Sequence, residues 1–567
     1  MKEPKTKKWW LINLALTVVG TRGLREMTSA SKNGKKAQFK ALQRILDWAK
    51  DTVYGKEHHF KEILAAKTPE EMFSLYRKNV PVNDYEDLRP YIDRHKNGER
   101  DVLFPGKPRI YSTTSGTTRE PKWIPVPDKY FRDVYKKMNE VWFYTLLKIK
   151  PKVFLGPGVS IVGKAIEGRA PDGTVYGSQS GLMARDIPNI MKRLHTAPPD
   201  VFLIADYKAR YYAIMRMGIE RDTHLIVAVN PSTLVEMQTN ANEFFDDYCN
   251  DIEHGTVGRK FDIPDEIRSV MEAYTKPNPR RAAELRELKK IHGTVLPKHY
   301  WPNLQIVNTW FCGNTKIYLE KVKDSFPPDC AFVELGYLSS ECKAGVPLEG
   351  GVESSVVFGN KFYFEFIHES ELDNPNPKIY QLYDLKKGER YNVLITTISG
   401  LHRYNMTDLI EVTDYYNQFP MIKFIQKTNG TTSLTGEKLH ERQFIDAMHE
   451  AQKQTGKTVP FFAGFADIQN SNYKFYYEFA DQNTTSGEAE AFTARLDRLL
   501  QEYNPEYRDK RASNRLKAPE TALLGPESFE RFKVACIEAG YRDGGQFKFN
   551  LLMQDEKRHA MFKALVK

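Results

Sequence analysis

Short runs of β-branched and aromatic residues alternate with longer helical patterns along most of this chain, and that alternation constrains its fold more than any other feature. Ser160–Gly163, Val201–Ile204, Leu225–Val229, Leu304–Val307 and Val393–Thr397 predict strands. Helical spacing of Phe39, Leu42, Ile45, Leu46 and Ala49 predicts a helix over Gln38–Ala49, and Asn242–Glu253 and Arg280–Ile291 predict surface helices. Alternation of this kind builds α/β layers. Val356–Phe358 and Lys361–Phe366, on either side of Gly359-Asn360, predict a hairpin, so part of the sheet is expected to be antiparallel. The polar, glycine-containing stretch Thr428–Gly436 then interrupts the pattern. The expected organisation is a large N-terminal α/β domain over 1–427 and a smaller C-terminal α+β domain over 428–567.

With 567 residues, 41% of them hydrophobic, the chain can bury several cores, and a mean hydropathy of -0.55 fits a soluble globular protein. The formal charge of +10 raises nucleic acid or an acidic surface as partner, but much of the excess sits near the ends and no basic stripe is interleaved with stacking aromatics. Nucleic acid is therefore not an expected partner. Five cysteines without a Cys-x-x-Cys pair, and thirteen histidines without His-Glu-x-x-His, argue for reduced structural thiols in a cytoplasmic protein and against a protein-ligated catalytic metal.

The apolar run from Trp9 to Gly20 follows four lysines and falls short of the about 20 residues a bilayer crossing needs. Arg22 and Arg25 follow it where a signal peptide would carry a small-residue cleavage site. Asn13 and Thr17 share one helical face, which predicts burial against the large domain; weak contact with a membrane interface is the other reading.

The richest local chemistry is Tyr111-Ser-Thr-Thr-Ser-Gly-Thr-Thr-Arg-Glu-Pro-Lys122. Small hydroxylated residues, a glycine and a lysine suit a backbone that folds around phosphate: Gly116 permits close approach, the hydroxyls donate, and Lys122 brings full charge. This stretch resembles the phosphate loop of the acyl-adenylate-forming superfamily, with Arg119 where a second glycine is usual. Gly336-Tyr-Leu-Ser-Ser-Glu341 and Leu401-His-Arg-Tyr-Asn-Met-Thr-Asp408 resemble the second and third adenylate motifs of one branch, the auxin-responsive acyl-acid amido synthetase family and its microbial relatives. The intervening segments 101–107, 296–304 and Trp310-Phe-Cys-Gly313 agree with that branch. The resemblance is close from Phe39 to Arg442 and weak beyond, where Gly545-Gln-Phe-Lys548 alone is recognisable.

The resemblance implies an ATP- and Mg²⁺-dependent ligase that adenylates a carboxylic acid and passes the acyl group to an amine, with an amino acid as expected acceptor. It implies a small C-terminal domain that rotates between half-reactions. Thr114, Ser115, Gly116, Thr117, Thr118 and Lys122 would cradle the phosphates; Tyr337 would stack on adenine, with Ser340 beside it, and Gly313 would let the base approach the backbone. Glu341 would hold Mg²⁺, and Asp408 would accept from both ribose hydroxyls. Lys427 matches a basic residue that contacts the nucleotide, Lys438 in Thr435-Gly-Glu-Lys438 follows within reach of the same phosphate, and Lys548 matches the lysine that the small domain brings to the carboxylate, although Phe549-Asn550 follows where Pro-Arg is usual. The acid pocket would draw on residues between Tyr130 and Val235.

Two further patterns are set aside. Gly158–Lys164 has P-loop spacing but ends in Ala165 instead of a hydroxyl residue, and Gly177-Ser-Gln-Ser-Gly181 has its serines one place off a nucleophile elbow. The alternatives are a thioester-forming ligase of the same superfamily and a catalytically idle nucleotide-binding protein at a membrane.

Overall fold

A computed structural model describes the chain outside residues 1–8, 114–121, 162–165, 180, 183–193, 230, 313–315, 373, 429–430, 433, 435–436, 438, 468–469, 513–515, 540–549 and 555. The N-terminal part begins with helices. Helix Gly34–Ala49 starts four residues before the expected Gln38, because the Asn33 side chain accepts the Lys36 N–H and caps its first turn. Its Leu42, Ile45, Leu46 and Ala49 are buried in the largest core, together with side chains of the antiparallel sheet.

Four strands, Gly158–Ile161, Leu225–Ala228, Ile306–Thr309 and Ala331–Glu334, pair in that order as a parallel sheet. Both faces need cover in such a sheet. Val159, Ile226 and Val307 pack into one core with helix Tyr207–Ile219, while Leu225, Ile306 and Val333 belong to the large N-terminal core. Three of the patterned runs therefore fall in strands of this sheet, the bounds at 306–309 lying two residues later than expected and 162–163 of the first run lying outside the described residues; Ala331–Glu334 was not expected as a strand. Val201–Ile204 is not a strand. Pro198 and Pro199 have no N–H to donate to a ladder, and Pro199–Leu203 closes into a 3₁₀ turn that still buries Val201 and Phe202. The expected helix over 242–253 is two helices, Ser232–Glu243 and Phe245–His254. The chain breaks at Phe244 (φ -110°, ψ 21°), which lets Phe244 and Phe245 both enter the core.

Seven strands make an antiparallel sheet in the order Ile379–Gln381, Tyr363–His368, Arg390–Thr396, Tyr404–Tyr416, Phe419–Lys427, Ser355–Val357, Gly345–Val346. The expected hairpin around Gly359-Asn360 does not form, since three strands separate its two arms. A turn from Phe358 through Phe362 closes on the Phe358 carbonyl, and the Phe419 ring lies against Gly359, where any Cβ would come within 2.8 Å of it. The chain thereby steps across the sheet.

Residues 439–565 bury a separate core. It is built on the sheet Glu520–Leu523, Asn472–Glu478, Phe461–Asp467, Leu552–Met553, with helices Glu441–Thr455 and Ser486–Tyr503 beside it. The whole is an α/β protein with mixed sheets. Among the described residues, no helix is long and apolar enough to cross a membrane.

Candidate functional site

The parallel sheet ends at Glu334, and the next residues turn back through Gly336 at φ +92°. Only glycine fits here, because a Cβ would lie 2.5 Å from the Gly345 carbonyl oxygen. The turn is closed by Ala344 and Gly345, whose N–H groups donate to the Tyr337 carbonyl at 2.8 and 2.9 Å, and the Tyr337 N–H donates to Ser355 Oγ at 3.2 Å. These contacts aim the Tyr337 side chain into the antiparallel sheet, where its hydroxyl donates to Asp408 Oδ2 at 2.6 Å. Both residues are buried. Burial, then the Asp408 charge, pushes the phenol pKa well up, so Tyr337 remains a donor to a carboxylate.

Asp408 lies in strand Tyr404–Tyr416, opposite Lys427 across the ladder. The segment leading to it is bent into shape: Gly400, Arg403 and Thr407 have φ of +85°, +44° and +51°. Two of these are non-glycine residues, where a left-handed backbone costs about 1–3 kcal/mol unless its surroundings enforce it. The enforcement is visible. The Arg403 guanidinium donates from Nε to Glu365 Oε2 at 2.7 Å and from Nη1 to the Val80 carbonyl at 2.8 Å, while the Arg403 backbone N–H donates to Thr396 Oγ1 at 3.0 Å. Asn83 completes the clamp, accepting from Asn405 N–H and donating to the Arg403 and His402 carbonyls.

Lys122 reaches the same strand from the other side of the phosphate-loop sequence. Its Nζ donates to the Tyr404 hydroxyl at 3.3 Å and faces the Tyr85 and Tyr404 rings at 5.7 and 5.9 Å. Burial raises the Tyr404 pKa, and the nearby Glu341 charge raises it further. Glu341 is half-buried, with its N–H held by Ser339 Oγ at 3.2 Å; its carboxylate accepts no hydrogen bond among the described residues. A carboxylate that accepts no hydrogen bond among the described residues fits a hard cation that keeps most of its waters.

A third segment joins behind Tyr337. Trp310 Nε1 donates to the Gly336 carbonyl at 3.2 Å, while the Phe311 N–H and the Cys312 thiol donate to Glu334 Oε2 at 2.9 and 3.3 Å. Desolvation pushes the Glu334 carboxyl up to about 7. The residues just before Gly313 are thus fastened to the turn that carries Tyr337.

Three comparisons bear on this arrangement. Family profiles match in sequence order: the GH3 family N-terminal domain over 23–331, its central domain over 355–427 and its C-terminal domain over 442–557. The chain belongs to the GH3 family. Indole-3-acetic acid-amido synthetase GH3.3 of Arabidopsis thaliana is 26% identical over 558 residues, covering 92% of this chain and 89% of the relative. Indole-3-acetic acid-amido synthetase GH3.8 of Oryza sativa subsp. indica is 26% identical over 573 residues, with 93% and 92% covered. The solved GH3.15 acyl acid amido synthetase superposes with a TM-score of 0.82 at 21% identity, over 96% of this chain and 95% of that one. The fold extends more distantly to 2-hydroxyisobutyryl-CoA ligase, at a TM-score of 0.52 and 12% identity over 94% and 92% of the two chains.

Of the residues expected in a GH3 site, the structure brings Lys122, Glu341, Tyr337 and Asp408 to one place, with Ser340 between two of them in the same turn. Thr114, Ser115, Gly116, Thr117, Thr118, Gly313, Lys438 and Lys548 lie outside the described residues, and Lys427 is described by its backbone, which pairs with Asp408 in the ladder. The C-terminal match over 442–557 extends well past Arg442, where little likeness was read from the sequence. Sequence reasoning also missed Tyr85, Glu334, Ser355 and Tyr404. Tyr404 stood inside the quoted Leu401–Asp408 motif, and Glu334 was the single acid in the apolar run Ala331–Leu335. Ser355 and Tyr85 gave no local signal, being defined by partners 18 and 38 residues away.

Proposed function

We propose that the protein is an ATP-dependent ligase that adenylates a carboxylic acid, releases pyrophosphate and transfers the acyl group to the amine of an amino acid. The observation that carries this reading is the Tyr337–Asp408 pair, which joins the second and third motifs in a GH3 chain whose full-length relatives are amido synthetases. An amine does not displace oxide from a carboxylate at neutral pH; attaching AMP turns that oxygen into part of a good leaving group. The residues must therefore hold ATP in line with the acid and balance charge as pyrophosphate departs.

Lys122 supports the phosphate role, since its ammonium is already poised on the Tyr404 hydroxyl at the end of the phosphate-loop sequence. Ser115, Gly116, Thr117 and Thr118 supply N–H and hydroxyl donors next to it in sequence. Asp408 is assigned to the ribose, one oxygen held by Tyr337 so that the carboxylate keeps a fixed orientation. Glu341 is assigned to Mg²⁺, which when bound would neutralise developing phosphate charge. Lys427, Lys438 and Lys548 are assigned to the α-phosphate and the acid on sequence pattern alone. The separate core of 439–565 supports a small domain that turns about the segment after Lys427. Five buried cysteines without a disulfide support a reducing, cytoplasmic setting.

The test is ATP–pyrophosphate exchange across aryl, indole and fatty acids, repeated with hydroxylamine as acyl trap and then with amino acids and coenzyme A as acceptors. Acid-dependent exchange followed by amide formation supports the reading; a thioester product alone would reassign the acceptor, and exchange with no acid would remove the ligase. Lys122→Met is expected to lower the exchange kcat/KM by about 10- to 100-fold, the worth of one charge-assisted phosphate contact. A change under about threefold would take Lys122 out of the site. Glu341→Gln is expected to raise the Mg²⁺ concentration for half-maximal exchange by about tenfold. An unchanged Mg²⁺ titration would return Glu341 to a surface role.

A further inference from the structure

Helix Trp9–Ser31 shows two opposed faces. Leu16, Gly20 and Met27 are buried on the inner one, and the fit is close: a Cβ on Gly20 would lie 2.1 Å from Tyr144 Cβ, and one on Gly23 2.9 Å from Val141. Asn13 and Thr28 lie toward this body, reaching the Pro151 carbonyl at 3.5 Å and the Tyr416 hydroxyl at 2.7 Å. The expected burial of the segment is thus met on one side of the helix.

The outer face is apolar at its start. Trp10, Leu11, Leu14 and Val18 are 55%, 49%, 52% and 66% exposed, among the largest apolar exposures of the described residues. At about 100° per residue these four, with exposed Ala15, Arg22 and Arg25, fall within one arc of about 140°, and the buried residues lie opposite. Arg22 and Arg25 form no ion pair among the described residues, whereas Glu26, at the rim of the arc, is engaged by Lys361 at 2.7 Å. The sequence adds Lys2, Lys5, Lys7 and Lys8 just before the helix. An aqueous surface has no use for an indole and three branched side chains in a row, and cations at both ends match an anionic surface.

We propose that this outer face of helix Trp9–Ser31 docks the protein on an anionic lipid surface, with Trp10, Leu11, Leu14 and Val18 at the level of the acyl boundary and Arg22 and Arg25 among the phosphate headgroups. The helix then lies along the interface, consistent with its being long enough but not apolar enough to cross. Such binding combines apolar insertion with charge, so it should be reversible and salt-sensitive.

The experiment is co-sedimentation of the full chain with vesicles of phosphatidylcholine alone and of phosphatidylcholine containing about one quarter phosphatidylserine, at low and high salt. Wild type is expected to bind the anionic vesicles, to leave them at high salt and to bind neutral vesicles at least about tenfold more weakly. Leu14→Glu/Val18→Glu is expected to lose at least about tenfold in partitioning while retaining exchange activity. Should that variant misfold, Arg22→Gln/Arg25→Gln changes only exposed side chains and is expected to weaken binding about fivefold per cation removed. No binding by wild type, equal binding to both vesicle types, or full binding by both variants would overturn the proposal. Concentration-dependent dimerisation that Leu14→Glu/Val18→Glu abolishes would assign the face to a second copy of the chain and overturn it equally.

Discussion

Asp408→Ala is expected to lower acid-dependent ATP–pyrophosphate exchange by about 10²- to 10⁴-fold in kcat/KM. A hydrogen bond to a charged group is worth about 1.5–3 kcal/mol, and a carboxylate that orients a ribose diol makes two of them; each 1.36 kcal/mol is a factor of about ten. The substitution also strands the Tyr337 hydroxyl, which donates to Asp408 at 2.6 Å inside a buried site. A stranded donor costs about 1–3 kcal/mol of stability. Asp408→Asn separates the two effects, because it keeps an acceptor for Tyr337 and removes the charge. Its melting transition should lie close to wild type while exchange still falls, chiefly through a weaker ATP KM. Tyr337→Phe is the complement, keeping the charge and losing its orientation. If Asp408→Asn and Asp408→Ala both exchange within about threefold of wild type, Asp408 does not contact the nucleotide.

Much of this arrangement was legible in the sequence because its parts are local. Lys122, Tyr337, Glu341 and Asp408 each stand in a short motif whose resemblance to the family's marks them within a few residues, whereas the left-handed turn at Gly336 was not expected. Three of the four strands of the parallel sheet were legible for the same reason, being short apolar runs with buried faces, whereas Ala331–Glu334 was not read as a strand. What failed to show was set by partners far along the chain. Val201–Ile204 carries the residue types of a strand, yet after Pro198 and Pro199 the segment turns on itself, with the Val201 and Ile204 N–H groups donating to the Pro198 and Val201 carbonyls. The arms around Gly359-Asn360 look like a hairpin, but the strand holding Phe419 claims the neighbouring position in the sheet. Tyr85, Ser355 and Glu334 belong to the site through contacts that no local pattern encodes. The N-terminal run was ambiguous because it is both buried and exposed, one face at a time.

Glu365→Ala is expected to destabilise the protein by about 3–5 kcal/mol, the cost of leaving a buried charge without its partner. Arg403 and Glu365 are 6% and 1% exposed, and their contact at 2.7 Å crosses from the strand Tyr363–His368 to the turn that precedes Asp408. Removing the carboxylate leaves a guanidinium that the Val80 and Arg77 carbonyls satisfy only in part, at 2.8 and 3.4 Å. The first thermal transition should fall by on the order of 5–10 °C. The effect should reach the site as well, because the pair holds Arg403 at φ +44°, one residue before Tyr404 and five before Asp408. A merely structural pair would lower stability and leave the kinetics of the remaining folded enzyme intact; a pair that shapes the site raises the ATP KM at temperatures where the variant is fully folded. Glu365→Met/Arg403→Met closes the cycle. Replacing both charges removes the desolvation cost and should restore about half or more of the lost stability. The ATP KM should stay high, since neither methionine can hold the Val80 carbonyl or the left-handed backbone. A melting transition for Glu365→Ala within about 2 °C of wild type would show that water reaches Arg403 and that the pair does not clamp the turn.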